Sequence, residues 1–567
     1  MPDMEPIERE SIRLVDWSGH TDFGRTEVFA PKTEDEVVAL VQGCRAARKK
    51  LRVVGLRTSW DALWYCKDVM MASDRLDAIK EIDVAGRTVT CEVGVPLSVL
   101  HPALWEKGLT LNCAPGIDWV TVGGAISTGS HGSGYTSLSS SMIRCRLVTA
   151  AGEVVEIGEG DNRLDAARIS LGMLGVLTSV TLRAVPAFHV RARRTRIPTA
   201  GWKRFLTEGE MSFVLCFPYT DSSALVRVDV LSDPVEIPRV TTALPRGGGP
   251  KPPADQNGTR PPDSAAFSPN AVRRAVCGLA NIQPSTFPAR NRYLLEAFYP
   301  DSDASGPVHQ MVMSYHSDPI AGAEWAVPVK HFDAVLSDPV EIQRVTADLT
   351  RGGGPKPPAD QNGTPLPDSA AFSPDAVSRA VCGLANIQTA TFPARNRYLL
   401  EAFYPDSDAS GPVHEMVMSY HSDPIAGAEW AVPVKHFDAV LSEFQDGIAK
   451  GDLHLPVLWF KKVHGESAWL SAADEDCVQC GIYHDVIEGT PSHVKATVTR
   501  VERIMLRHGG RPHLGKLIFM TPAELKRLYP RWNQFDTLRR QMDPEGMFWT
   551  ELIEARFGAG EAGTGPR

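Results

Sequence analysis

The sequence predicts an α+β protein of at least two domains. Three observations support this. The 567 residues exceed what one hydrophobic core ordinarily serves. Over residues 1–192, amphipathic helical segments alternate with short apolar strands. Later runs such as Cys477-Val478-Gln479-Cys480-Gly481-Ile482-Tyr483 read as strands of a sheet.

The composition, 43% hydrophobic and 22% charged, is that of an ordinary globular protein. A net charge of −9 argues against nucleic acid or an anionic membrane as partner. Met1 to Trp17 mix acidic and basic groups without an apolar segment, so no signal peptide is expected. No apolar run approaches a membrane span. Ten cysteines follow no framework spacing, which fits a reducing, cytoplasmic compartment. The one C-x-x-C, Cys477 and Cys480, lies in a strand-like run. Residues three apart on a strand face opposite ways, so the pair reads as packing, and no metal site is expected.

Thr33 with Glu36 reads as a capping box opening a helix over 34–50, with Val37, Val38, Leu40, Val41 and Cys44 on its apolar face. Leu51 to Val54 is a buried strand running into the turn Gly55-Leu56-Arg57-Thr58-Ser59-Trp60. Strands follow at 69–71, 79–82 and 89–93. Pro96 opens a helix reaching Lys107, at a position where proline is tolerated. Then comes the stretch on which the chain is organised, Thr121-Val122-Gly123-Gly124-Ala125-Ile126-Ser127-Thr128-Gly129-Ser130-His131-Gly132-Ser133-Gly134. Its small residues let the backbone approach a large flat partner. Successive free N–H groups in such a turn suit a pyrophosphate. The spacing is not G-x-G-x-x-G, and no Gly-Lys-Ser/Thr follows, which excludes a P-loop. Strands at 144–149 and 153–157, a helix over 166–174 ending at Gly175, and a strand over 176–185 complete this part.

These segments together resemble the FAD-binding domain of the vanillyl-alcohol oxidase superfamily, of the PCMH type. Within it the chain is most similar to the aldonolactone oxidoreductases and alditol oxidases. The likeness continues through Leu171-Gly172-Met173-Leu174-Gly175-Val176-Leu177, the Glu-Trp-Ala-Val-Pro at Glu324 and Glu429, Gly509 to Lys516, and Asp543-Pro544-Glu545-Gly546-Met547-Phe548. It implies an FAD domain of two α/β subdomains over 1–192 and a cap with a large antiparallel sheet over 193–530. Residues 531–567 would return to the FAD domain and end in a disordered tail.

The cap region contains a near-identical repeat. Leu231-Ser232-Asp233-Pro234-Val235-Glu236 recurs at Leu336, and the match extends through Trp325 and Trp430. The copies occupy 231–335 and 336–440, a tandem duplication or a gene-model error. Each has a Pro/Gly-rich half and a structured half; in the first copy, 291–299 and 323–329 read as strands. A sheet has one place for each strand, so one copy, or a mosaic of both, should fill the cap. Glu429 is preferred over Glu324 because it lies nearer the remaining family-like motifs.

The resemblance implies that Val54, Gly55, Leu56, Arg57, Thr58 and Ser59, with Thr121, Val122, Gly124, Ala125, Thr128, Gly129, Ser130, His131, Gly132 and Ser133, wrap the FAD pyrophosphate and one flavin edge. Gly175 and Val176 would reach the adenine side. Many relatives carry a histidine at position 58 that bonds covalently to the flavin. Threonine lacks that nucleophile, so non-covalent FAD is expected, and His131 would position the cofactor. His513 and Lys516 match the family's His-Trp-x-Lys motif, with Leu514 in place of the tryptophan and a bend expected at Gly515. Lys516 would place positive charge near flavin N1. His513 or Glu429 would assist as base. The family's Glu-x-Arg pair has two possible counterparts: Leu458 and Phe460 if aligned from Pro456, or Trp459 and Lys461 if aligned from Trp469. The glutamate is absent either way, and lysine does not reproduce a bidentate guanidinium.

The expected activity is FAD-dependent oxidation of a CH–OH donor, a sugar-1,4-lactone or alditol, with O2 or another electron acceptor. The alternatives are a non-sugar alcohol, suggested by Trp459 and Phe460, or a flavin-binding protein disabled by the duplication and the loss of the Glu-x-Arg pair.

Overall fold

The computed structural model describes residues 7–16, 21–132, 136–207, 211–231, 382, 392, 395–396, 399–400, 407–416, 425–485 and 494–558. The first sheet holds β1 (Arg9–Val15), β2 (Asp22–Phe29), β3 (Leu51–Val54) and β4 (Val69–Ala72), with α1 (Glu34–Ala46) between β2 and β3. Its order is β1-β2-β4-β3, with β4 parallel to both β2 and β3. The Thr33 hydroxyl accepts the Glu36 N–H at 3.2 Å, but the Glu36 carboxylate accepts from Lys32 N–H at 2.6 Å. The expected reciprocal box is therefore half formed. The helix ends at Ala46, short of Lys50, and Arg48 takes a left-handed φ of 53°.

The second sheet is antiparallel, in the order β5-β6-β10-β8-β9 with β7 on the end of β10. Its elements are β5 (Ile79–Asp83), β6 (Thr88–Glu92), α2 (Leu97–Glu106), β7 (Leu109–Leu111), α3 (Val122–Thr128), β8 (Met142–Val148), β9 (Val154–Gly158), α4 (Leu164–Arg168) and β10 (Val176–Pro186). Two expectations change here. The glycine-rich stretch is not all turn, because Val122–Thr128 form α3. Thr121 caps it by accepting the Gly124 N–H at 3.1 Å, and Gly129 closes it at φ 73°. Gly123 is needed because a Cβ there would lie 2.7 Å from the Val93 Cβ. The helix expected over 166–174 stops at Arg168, since Leu171 (φ 50°) and Gly172 (φ 68°) turn the chain.

The third sheet has eight strands in the order β14-β11-β13-β12-β16-β17-β15-β18. They are β11 (His189–Pro198), β12 (Phe213–Cys216), β13 (Ser222–Val230), β14 (Ser407–Pro412), β15 (Ile425–Pro433), β16 (Leu458–Val463), β17 (Cys477–Asp485) and β18 (Arg511–Pro512). Helices α5 (Val413–Met416), α6 (Phe437–Ala449) and α7 (Val494–Arg507) accompany them. β14 and β15 belong to the second copy of the repeat. The strands expected at 291–299 and 323–329, and Glu324 itself, lie outside the described residues. The second-copy counterpart of the first of these is helical at Asn396, Leu399 and Leu400, and Leu400 buries against Phe217 and Ala224. Cys477 and Cys480 join different apolar clusters, as opposite strand faces require, and all nine described cysteines are free.

Helices α8 (Pro522–Leu528), α9 (Trp532–Met542) and α10 (Glu551–Phe557) end the described chain. They meet the first sheet: Leu51 N–H donates to the Met547 carbonyl at 3.1 Å, and Arg556 pairs with Asp61 at 2.5 Å. Among the described residues no helix is long and apolar enough to cross a membrane.

Candidate active site

Three backbone segments meet at one place. A Cβ on Gly55 would fall 2.5 Å from Thr121 Oγ1, so the turn after β3 lies directly on the cap of α3. Trp60 N–H donates to the Gly515 carbonyl at 3.1 Å. A Cβ on Gly515 would sit 3.2 Å from the Thr128 Cβ. The bend expected at Gly515 is a turn in which Lys516 N–H donates to the His513 carbonyl at 3.0 Å. It brings both side chains into one site although a strand would have separated them.

Glu429 lies at the centre, 2% exposed, on β15 between β17 and β18. Lys516 Nζ is 3.0 Å from Oε1 and the Tyr483 hydroxyl donates to the same oxygen at 2.6 Å. His131 Nε2 is 2.8 Å from Oε2 and 2.6 Å from the Gln479 side-chain amide. Burial opposes ionisation of Glu429, yet the Lys516 ammonium and the His131 hydrogen bond outweigh it and hold the carboxyl well below the usual carboxylate range. Burial and the Glu429 charge push the Tyr483 phenol well above its ordinary value, so it remains a donor.

His513 behaves differently from the base expected of it. Its Nδ1 accepts the Gly515 N–H at 3.0 Å and its Nε2 faces the Gly129 carbonyl at 3.2 Å. Both ring nitrogens are committed to backbone, and burial pushes the imidazole down to about 3. His513 is a neutral strut between the 513–516 turn and the end of α3. His131, Glu429 and His513 offer ligand atoms within 4.8 Å of one another, a possible metal-ligand grouping. The backbone bonds of His513 and the Lys516 ammonium on Glu429 oppose that use.

Sheet register puts the residues of the two alignments at β16 on opposite faces. Phe460 stacks on Trp202 at 4.7 Å and meets Phe437 edge-on, on the face away from the site. Trp459 and Lys461 face the site. Trp459 lies 5.9 Å from the His131 ring and 6.3 Å from Tyr483. Lys461 is buried and donates to the Gly132 carbonyl. Burial pushes its ammonium down to about 8. Lys516 Nζ sits 3.6 Å over the Trp60 ring.

Tyr483, Gln479 and Trp60 were not identified from sequence. Gln479, Gly481 and Tyr483 alternate on one face of β17, and that period of two was available as a signal. Gly481 makes room for Trp459, since a Cβ there would lie 1.9 Å from the indole Nε1. Thr58 and Ser59 are half-buried in their loop, and Ser130 is 3.4 Å from the Thr128 hydroxyl. Gly175 and Val176 lie apart from the Glu429 cluster, at the start of β10 against Val148. Ser133 lies outside the described residues.

The two loops fit an FAD diphosphate. None of the backbone N–H groups of Leu56, Arg57, Thr58 or Ser59 finds an acceptor among the described residues. Gly132 rests on Ala114 so closely that a Cβ would meet its carbonyl at 2.0 Å. Free donors beside close-packed glycine backbone suit a large anionic cofactor.

A family model described as D-arabinono-1,4-lactone oxidase matches residues 180–347 and 371–555, more than half of the chain. An FAD binding domain model matches residues 26–158. L-gulono-1,4-lactone dehydrogenase of Mycobacterium tuberculosis is 33% identical over 236 residues, 41% of this chain and 54% of that protein. L-gulonolactone oxidase of Bos taurus is 30% identical over 235 residues, 40% of this chain and 53% of that protein. The chain thus spans about half the length of these relatives. A mutant cholesterol oxidase from Brevibacterium sterolicum has a TM-score of 0.62 at 15% identity, covering 98% of both chains, a likeness of fold alone.

Proposed function

The chain belongs to the D-arabinono-1,4-lactone oxidase family and carries its FAD-binding domain, and from that premise we propose that it oxidises a CH–OH group of a sugar-1,4-lactone, with O2 or another acceptor taking the electrons. The observation that carries this reading is the buried Glu429 carboxylate held by Lys516, Tyr483 and His131, beside the backbone of Gly129 to Gly132. When bound, FAD supplies the hydride acceptor. The loops at 54–59 and 121–132 hold it, without a covalent bond at Thr58.

Each side chain has a part. Lys516 places an ammonium where negative charge on a substrate oxygen is stabilised. Ionised Glu429 fixes Lys516 and receives the His131 Nε2–H, with the Gln479 amide turned so that its oxygen, not its NH2, faces that nitrogen. That leaves His131 Nδ1 to accept the substrate hydroxyl proton, the arrangement of a carboxylate-oriented imidazole base. His513 keeps the 513–516 turn in place. Lys461 anchors Gly132.

Trp459 favours a second reading. It stands where the family's glutamate is expected, and with Tyr483 and Trp60 it forms an aromatic wall. Such a wall suits an apolar or aromatic alcohol. The test is the absorbance spectrum of purified protein before and after acid precipitation, followed by anaerobic addition of aldonolactones, alditols and aromatic alcohols. Yellow colour in the supernatant and bleaching by a lactone support the proposal. Bleaching by an aromatic alcohol alone selects the second reading. Flavin left in the pellet overturns the Thr58 argument, and flavin that no donor bleaches marks a disabled enzyme.

A further inference from the structure

Arg52 is out of place for its chemistry. It lies on β3, and only 6% of it is exposed. Its strand neighbour Val54 packs with Ile12, Leu14, Cys66 and Met70, an apolar cluster. Among the described residues no carboxylate pairs with the guanidinium and no acceptor takes its hydrogens; Nε is fully enclosed without a partner. An unpaired buried charge is among the costliest features a fold can carry. Burial pushes even this guanidinium down to about 10, with only the Cys66 sulfur opposing. Arg57, by contrast, has Asp74 near it.

The position of the guanidinium suggests what it is for. β3 runs straight into the Gly55 turn, where the N–H groups of Leu56, Arg57, Thr58 and Ser59 have no acceptor among the described residues. Across from it, Arg52 Nη1 would be 3.6 Å from a Cβ on Gly172. Gly172 belongs to the turn that joins α4 to β10, and Leu171 N–H in that turn donates to the Ser127 carbonyl of α3 at 3.1 Å. Arg52 therefore reaches from the strand that feeds the Gly55 turn to the turn tied to the end of α3.

We propose that Arg52 is the counter-charge for the FAD diphosphate, without a partner among the described residues and neutralised when the cofactor enters. The inference rests on FAD binding by these loops and goes beyond it by naming the charged group that recognises the anion. A guanidinium can meet two phosphate oxygens at once, which a backbone loop of single N–H donors cannot match for charge. Cofactor binding and stability are then linked through one residue: the apoprotein bears the cost of the buried cation, and the diphosphate relieves it.

The test uses full-length apoprotein produced under riboflavin limitation, with Arg52→Met and Arg52→Lys beside the wild type. Affinities for FAD, ADP and riboflavin are measured by titration, and melting temperatures with and without FAD. Arg52→Met is expected to weaken FAD and ADP by roughly ten- to a hundredfold, the range of a charge-assisted hydrogen bond, and to leave riboflavin unchanged. Its apoprotein is expected to melt higher than wild-type apoprotein, and Arg52→Lys to recover part of the ADP affinity. Unchanged ADP affinity, or equal weakening of ADP and riboflavin, overturns the proposal. So does an Arg52→Met apoprotein that melts lower, because a merely packing role predicts that sign. Wild-type apoprotein that takes up neither FAD nor riboflavin would remove the cofactor assignment itself, a failure distinct from loss of the Arg52 effect alone.

Discussion

Lys516 and Glu429 form an ion pair of 3.0 Å in which the carboxylate is 2% exposed, joining the 513–516 turn to the second copy of the duplicated segment. Breaking a buried pair from one side leaves the other charge uncompensated and costs about 3–5 kcal/mol where burial is complete. Glu429→Gln is expected to lower kcat by at least about a hundredfold, as loss of an oriented base does. Glu324→Gln, the same change in the first copy, is expected to leave kcat and KM at wild-type values. Steady-state kinetics of the two variants check this; equal damage from both would sink the assignment to the second copy.

Lys461 is a buried lysine whose ammonium is pushed down to about 8 by burial. Its ordinary value is about 10.4. Between these values the unfolded chain binds more protons than the folded one, so stability gains as pH rises through the window. Below it both states are charged and the full cost of burial is present. Lys461→Met removes that dependence. Urea midpoints at pH 7 and pH 9.5 should show the wild type gaining on the variant at the higher pH. A constant difference between them would count against a buried titrating amine.

His101 and His414 stack with ring centroids 5.4 Å apart, and neither ring nitrogen of His101 has a partner among the described residues. Burial, with a smaller contribution from His414, pushes His101 down to about 3. The unfolded imidazole titrates near 6.5, so the unfolded state binds the extra proton and stability falls as pH drops through 6.5 toward 3. His101→Phe keeps a stacking ring without the proton site. Its acid-unfolding midpoint is expected to move to lower pH, measured by circular dichroism, and an unmoved midpoint refutes this.

Gly132 carries the carbonyl that Lys461 meets, and it rests on Ala114 and Pro115. A Cβ there would be 2.0 Å from the Ala114 carbonyl and 2.6 Å from the Pro115 Cα, so the backbone must move. Gly132→Ala is expected to displace the Lys461 contact and lower the flavin content of purified protein several-fold. The flavin-to-protein absorbance ratio reads this directly. A ratio equal to wild type would show that this loop does not hold the cofactor.

Much of this site was written in local sequence. The hydroxyl-and-glycine run from Thr121 to Gly134 announced close backbone approach, and Arg511-Pro512-His513-Leu514-Gly515-Lys516 announced a bent segment bearing a histidine and a lysine. Both are short-range signals, since a glycine's freedom and a strand's period of two need no distant partner. The same locality misled elsewhere. Residues 166–174 looked helical until Leu171 and Gly172 turned the chain, and the glycine-rich run concealed α3 because capping by Thr121 outweighed glycine's weak helical preference.

The sequence by itself determined the α+β class, the glycine loops and the residues fit for proton and charge chemistry. Tertiary structure alone decided which of them meet. Register between β12, β16 and β17 turned Trp459 and Lys461 toward the loops and Phe460 toward Trp202, a choice that two alignments of one strand could not make. The near-identical copies leave Glu324 and Glu429 with identical local signals. The seat of Glu429 is fixed by the pairing of β15 with β17 and β18, which closes residues far apart in the chain. Such pairing depends on sheet order and burial across the whole chain, and a local window contains neither.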